Sequence, residues 1–102
     1  MEKIYLITRR DLPQNIRLVQ TNHATFQLWQ EFHDNLPKQE TPNLVCYKVE
    51  NERELHSLYE QIYAERIALR ITKFQEPDLG DQLTAIAYFG EKIPLFNGLS
   101  LV

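Results

Sequence analysis

Two short runs at opposite ends of the chain limit the folds open to it. Lys3-Ile4-Tyr5-Leu6-Ile7-Thr8 and Leu83-Thr84-Ala85-Ile86-Ala87-Tyr88-Phe89 are apolar at successive positions rather than alternate ones. A strand with one wet face alternates, so runs this short and this continuous belong to strands covered on both faces. In a chain of 102 residues, 43% of them hydrophobic, one sheet in a single domain over residues 1–102 is expected to hold both.

The segments between them carry helical and strand spacing in turn. From about residue 14 to 34, Ile16, Val19, Phe26 and Trp29, with Leu18, Ala24, Leu28 and Phe32 beside them, recur at helical spacing. They predict a long helix with that stripe, Trp29 included, packed on the sheet. Pro13 favours its start, Asn35 and Pro37 its end, and residues 38–42 a polar loop. Leu44-Val45-Cys46-Tyr47-Lys48-Val49 reads as a second strand. Asn51 and Glu54 then cap a helix whose apolar stripe is Leu55, Leu58, Tyr59 and Ile62. Residues 67–74 alternate as a half-buried or edge strand does, and the tail from residue 91 is expected to pack Leu95, Phe96, Leu99 and Leu101 over an open side of the core.

The order strand, helix, strand, helix, strand, strand implies right-handed crossovers, a parallel core and an antiparallel last strand. Ligands in such open sheets sit beyond the carboxyl ends of the parallel strands. That edge gathers Arg9, Arg10 and Asp11 after the first strand, Glu76 and Asp78 after the third, and Thr84 at the start of the fourth. The first helix begins there too, and its free N–H groups favour an anion. His23 lies nine residues into that helix, about 13 Å from its start at about 1.5 Å per residue. It is therefore expected behind the site, hydrogen-bonded within the core.

Charge and motif content exclude several classes. A net charge of -3 argues against binding nucleic acid over the whole surface and leaves a local basic patch as the only electrostatic route. The single cysteine, Cys46, forms no internal disulfide and reads as a buried thiol in a reducing compartment. No leader or membrane span is recognisable, so a cytoplasmic protein is expected. His23, His33 and His56 show no metal-ligand spacing, and neither a metal nor a cofactor is expected. The chain lacks the G-x-S-x-G elbow, the phosphate-binding G-x-x-x-x-G-K-S/T loop and the G-x-G-x-x-G fingerprint.

Asp11-Leu12 after a first strand, then Gln20-x-x-His23-Ala24 on the following helix, resembles the D-L and Q-x-x-H-A pattern of the second, archaeal and eukaryotic, type of peptidyl-tRNA hydrolase. Leu83-Thr84-Ala85-Ile86-Ala87 resembles that family's T-V-L-A-I-G strand, and Thr8-Arg9-Arg10-Asp11-Leu12-Pro13 together with residues 76–85 resembles a branch of small bacterial hydrolase-like members. The resemblance implies a three-layer α/β/α sandwich on a four-stranded mixed sheet of order 2-1-4-3 with strand 4 antiparallel. It also implies metal-free cleavage of the ester between a peptide and the 3' end of tRNA.

Carried over residue by residue, Glu76 stands where the family has the aspartate of its D-A-G segment, and Thr84 matches a strand threonine. Residues 13–15 lack the family's lysine, and Leu79-Gly80 replaces a longer threonine-containing loop. Arg9, Arg10 or Arg17 is then expected to supply the positive charge. The implied catalytic set is Glu76, Thr84 and Arg10, with Arg9, Asp11, Gln14, Arg17, Gln20 and Asp78 binding substrate and His23 behind them. The alternative is a non-catalytic module in which the same crevice holds RNA ends, another anionic ligand or a protein partner. A homodimer through an edge strand is a further expectation, with strands two and three as edges and Lys48, Arg70 and Lys73 discouraging stray pairing.

Overall fold

The computed structural model describes residues 2–36, 43–64 and 70–102. The loop expected at 38–42, Pro37 and residues 67–69 lie outside them. In chain order the elements are β1 (Lys3–Arg9), α1 (Gln14–Phe32), β2 (Leu44–Val49), α2 (Glu52–Ala64), β3 (Ile71–Glu76), β4 (Gln82–Gly90) and β5 (Ser100–Leu101). Single 3-10 turns follow α1, β3 and β4. No helix of the described residues is long and apolar enough to cross a membrane.

Among the described residues the sheet has five strands in the order β3-β4-β1-β2-β5, not the expected four. β1 pairs parallel with β2 and antiparallel with β4, and β4 pairs antiparallel with β3. The inner order is thus the expected 2-1-4-3, with a strand added beside β2. That strand comes from the tail. Phe96 is buried in the core, Gly98 turns the chain at φ +86°, and Leu101 and Ser100 pair with Tyr47 and Lys48. Two paired residues are too few to leave a periodic signal in a sequence. As a result β2 is an inner strand, and the edges are β3 and β5.

β1 and β4 are buried along almost their whole length, as their unbroken apolar runs require. Tyr5 and Ile7 point to one face, where Tyr47, Val49, Leu83, Ile86 and Tyr88 meet Leu55, Leu58 and Ile62 of α2. Ile4 and Leu6 point to the other, where Ala85, Ala87 and Phe89 meet Ala24 and Leu28 of α1. Asn51 caps α2 as expected, its side-chain oxygen accepting from the Glu54 N–H at 3.0 Å.

α1 is rotated from its expected orientation. Its buried residues are Gln20, Thr21, Ala24 and Leu28, while Leu18 (64% exposed), Val19 (45%), Phe26 (66%) and Trp29 (48%) face outward. The sheet beneath explains this. Ala85 and Ala87 let the helix approach closely, and Thr72 and Thr84 supply polar partners that an apolar stripe would leave unsatisfied. Gln27 Nε2 donates to Thr72 Oγ1 (2.5 Å) and to the Lys73 carbonyl (2.7 Å), and the Thr72 hydroxyl donates to Glu31 Oε1 (2.7 Å). Along β3 the helix is docked by a seam of hydrogen bonds.

Candidate functional site

Glu76 ends β3, and the chain turns at once through Pro77–Leu79 and Gly80, at φ +66°, into β4. Across this turn the pairing steps from Phe74 opposite Ala85 to Gln75 opposite Leu83, which leaves Thr84 as an extra residue. Such a bulge re-aims a side chain. Thr84 points toward α1 together with Ala85, and its fully buried hydroxyl donates to Gln20 Oε1 at 2.6 Å. Gln20 Nε2 donates in turn to Glu76 Oε1 at 3.0 Å, and the Asp78 N–H approaches Glu76 Oε2 at 3.4 Å. The Thr8 hydroxyl donates to the Thr84 carbonyl at 2.9 Å, which ties β1 to the same chain of bonds.

His23 belongs to this cluster and is not hidden behind it. Glu76 meets α1 two turns in from its tip, so the His23 ring stacks on Phe74 with centroids 4.9 Å apart and its Nε2 lies 4.0 Å from Glu76 Oε1. Depth along a helix was the wrong measure of depth in the protein, since the His23 side chain is 47% exposed. The Gln20 hydrogen bond, offset in part by desolvation, holds the Glu76 carboxyl below its ordinary 4.5, with the Asp78 N–H and His23 adding smaller effects. Glu76 is therefore a carboxylate near neutral pH.

The sign of that shift gives a prediction. Because folding favours the ionised form, the stability Glu76 contributes is present above the unfolded pKa and is lost as pH falls through the lower folded value. In Gln20→Met the midpoint of Glu76, followed by NMR of its side-chain carbons, rises toward 4.5. An unmoved midpoint would assign the shift to another cause.

The two arginines expected at Glu76 are occupied elsewhere. Arg9 follows Tyr5 and Ile7 in the β1 alternation and points to the α2 face, where it is 7% exposed. Its Nε and Nη2 donate to the two carboxylate oxygens of Asp11, both at 2.9 Å, and Nη1 to Gln82 Oε1 (2.8 Å) and the Leu83 carbonyl (3.1 Å). That contact holds the Asp11 carboxyl below its ordinary value. Arg10 is exposed and pairs with Glu50 at 3.3 Å. Arg9, Glu76 and Thr84 thus do not surround one pocket. Thr84 and Glu76 meet through Gln20, while Arg9 lies on the other face of the sheet.

Two other expected residues, Gln14 and Arg17, line a cleft on the opposite flank of α1. It encloses about 600 Å³ over β1 and β2. Leu6 and Thr8 of β1, Leu44 and Cys46 of β2, and Val102 beyond β5 face Gln14, Arg17, Leu18 and Thr21 of α1 across it, with Asn15 and Asn22 also lining it. No Asp or Glu side chain among the described residues lines it. Among the described residues Arg17 has no ion pair, and its Nε is buried without a hydrogen-bond partner. Burial pushes the Cys46 thiol up, partly countered by the Arg17 charge.

Solved structures similar in fold include a protein of unknown function from Agrobacterium tumefaciens, 13% identical, which superposes with a TM-score of 0.74 over 99% of this chain and 97% of its own. At that identity the likeness concerns architecture alone. No family model matches the chain, and no curated protein matches it.

Sequence reasoning missed the cleft because its β2 side is built by Leu44, Cys46 and Val102, each unremarkable alone. The one available signal was Arg17, a cation within the first turns of a helix that has no acid in its first turn. Among the described residues no group of three His, Cys, Asp or Glu side chains is placed to hold a metal ion.

Proposed function

We propose that this chain is a binding domain on a three-layer framework of the type 2 peptidyl-tRNA hydrolase kind, and that it holds an anionic ligand in the Arg17 cleft without turning it over. The observation that carries this reading is the unpaired Arg17 guanidinium at a cleft of about 600 Å³ that no Asp or Glu side chain lines among the described residues. Volumes of roughly 300–1,000 Å³ are usual for small-molecule sites. α1 opens beside it without a side-chain cap, so its first N–H groups favour the same charge.

Electrostatics separate this site from the Glu76 rim. Glu76, Asp78 and Asp81 crowd the turn between β3 and β4, and among the described residues no arginine or lysine is paired with them. A polyphosphate brought there meets repulsion. In the cleft the 5'-phosphorylated trinucleotide CCA, a mimic of the tRNA 3' end, is expected to shift the amide resonances of residues 14–18 and of Cys46. Arg17→Gln weakens that binding about tenfold, the effect of losing one charge-assisted contact. Raising salt weakens it with a slope near -0.7 per neutralised phosphate. Shifts that ignore both changes would remove the reading.

A second reading, ester hydrolysis on aminoacyl- or peptidyl-tRNA, is favoured by the 4.0 Å approach of His23 to Glu76. In it the ionised Glu76 orients His23 as the base that draws a proton from water, and Gln20 and Thr84 fix the carboxylate. It predicts release of an N-blocked amino acid from tRNA that falls at least about a hundredfold in His23→Ala and Glu76→Gln. Equal release by wild type and both variants would end it.

A further inference from the structure

The walls of the Arg17 cleft specify a ligand more narrowly than its charge does. Leu6, Leu18, Leu44, Cys46 and Val102 give it an apolar body, and Leu44 and Leu18 carry that surface out to solvent at 56% and 64% exposure. The hydroxyls of Thr8 and Thr21 already donate to the Thr84 carbonyl and to the Arg17 and Leu18 carbonyls. Hydrogen bonding to a ligand therefore falls to Arg17 and to the amides of Gln14, Asn15 and Asn22. No side-chain hydrogen bond occupies these amides among the described residues.

Resting on the reading of the cleft as an anion-accepting site, we infer that its ligand is a small organic monoanion with an aliphatic body, a medium-chain carboxylate. One cation balances one charge, and a planar guanidinium matches a carboxylate through two parallel hydrogen bonds. A phosphate or a nucleotide reaches the same guanidinium but carries more charge than Arg17 alone balances, and its hydrated groups gain nothing from a wall of leucine, valine and a protonated thiol, so it binds there more weakly than the carboxylate. The carboxylate lies on Arg17 and the nearby Gln14 and Asn15 amides. The chain runs over Leu6 toward Leu44, Cys46 and Val102.

The test uses hexanoate, octanoate, decanoate and octanol as probes, with the 5'-phosphorylated CCA trinucleotide alongside, and follows amide resonances of the full chain. Octanoate is expected to move residues 14–18, Cys46 and Val102, with affinity rising about fourfold per methylene along the acid series. Octanol is expected to bind about tenfold more weakly, and Arg17→Gln to erase the preference for acid over alcohol. Leu44→Asp, at a position 56% exposed, weakens octanoate more than hexanoate by placing a charge beside the chain. Arg17-dependent shifts from the trinucleotide with none from octanoate would overturn the ligand class and leave the anion site standing. No cleft shift from either probe would overturn both. Octanoate shifts centred on Phe26 and Trp29, the exposed side of α1, would show unspecific adsorption and likewise overturn the inference.

Discussion

Replacing Arg9 by methionine is expected to lower the unfolding free energy by about 3 kcal/mol. Its guanidinium is nearly buried and makes four hydrogen bonds, two to Asp11 and one each to Gln82 and the Leu83 carbonyl. Asp11 is 43% exposed and rehydrates once released, so the loss stays at the low end for breaking an ion pair. Leu83 is fully buried, and its carbonyl loses this partner where water enters poorly.

Acid provides the second reading of the same variant. Arg9's hydrogen bonds hold the Asp11 carboxyl below its ordinary value, so the stabilisation is present above the unfolded pKa of about 3.9 and disappears as pH falls through the lower folded value. The difference between wild type and Arg9→Met in urea unfolding should therefore narrow over that acid interval. A difference below about 1 kcal/mol, unchanged by acid, would return Arg9 to the groups free to hold a ligand.

Truncating Phe96 to alanine is expected to cost about 3–5 kcal/mol. The ring is 1% exposed and lies 4.9 Å from Tyr5, 5.7 Å from Tyr47 and 5.9 Å from Tyr88, centroid to centroid. It also anchors the tail, since the Leu99 N–H donates to the Phe96 carbonyl just before β5 begins. Loss of the anchor frees β5, so the Val102 amide, which donates to the Cys46 carbonyl at 3.0 Å, should lose protection from hydrogen exchange. The cleft loses its Val102 side in the same event, and octanoate binding falls with it. Leu101→Ala, at an exposed position, is the control and should change stability by no more than about 0.5 kcal/mol. Full amide protection in Phe96→Ala would refute the anchoring role.

These results divide what periodicity reveals from what it hides. The continuous runs in β1 and β4 and the Leu55, Leu58, Ile62 stripe of α2 identified buried surface because burial there is apolar throughout. α1 misled because it carries two stripes, and a count of apolar residues favours the one left in water. The buried one is stabilised by Gln20 and Gln27 pairing with Thr84, Glu76, Thr72 and Lys73, partners more than 40 residues away that no local pattern announces. Thr84 was legible as a residue near Glu76, but the bulge that commits its hydroxyl to Gln20 depends on the register between two strands. The Arg9-Arg10 doublet looked like a free basic patch, and only the alternation of β1 shows that Arg9 turns inward toward Asp11.

The seam between α1 and β3 acts on a place it does not touch. Apolar stripes tolerate sliding, whereas the donors of Gln20 and Gln27 must meet particular oxygens, and a slip of α1 by one turn breaks them together. The gap between α1 and β2 is therefore set from the far flank of the helix. Thr72→Val is expected to change the ratio of octanoate to hexanoate affinity at the proposed cleft, from a position that contacts neither acid.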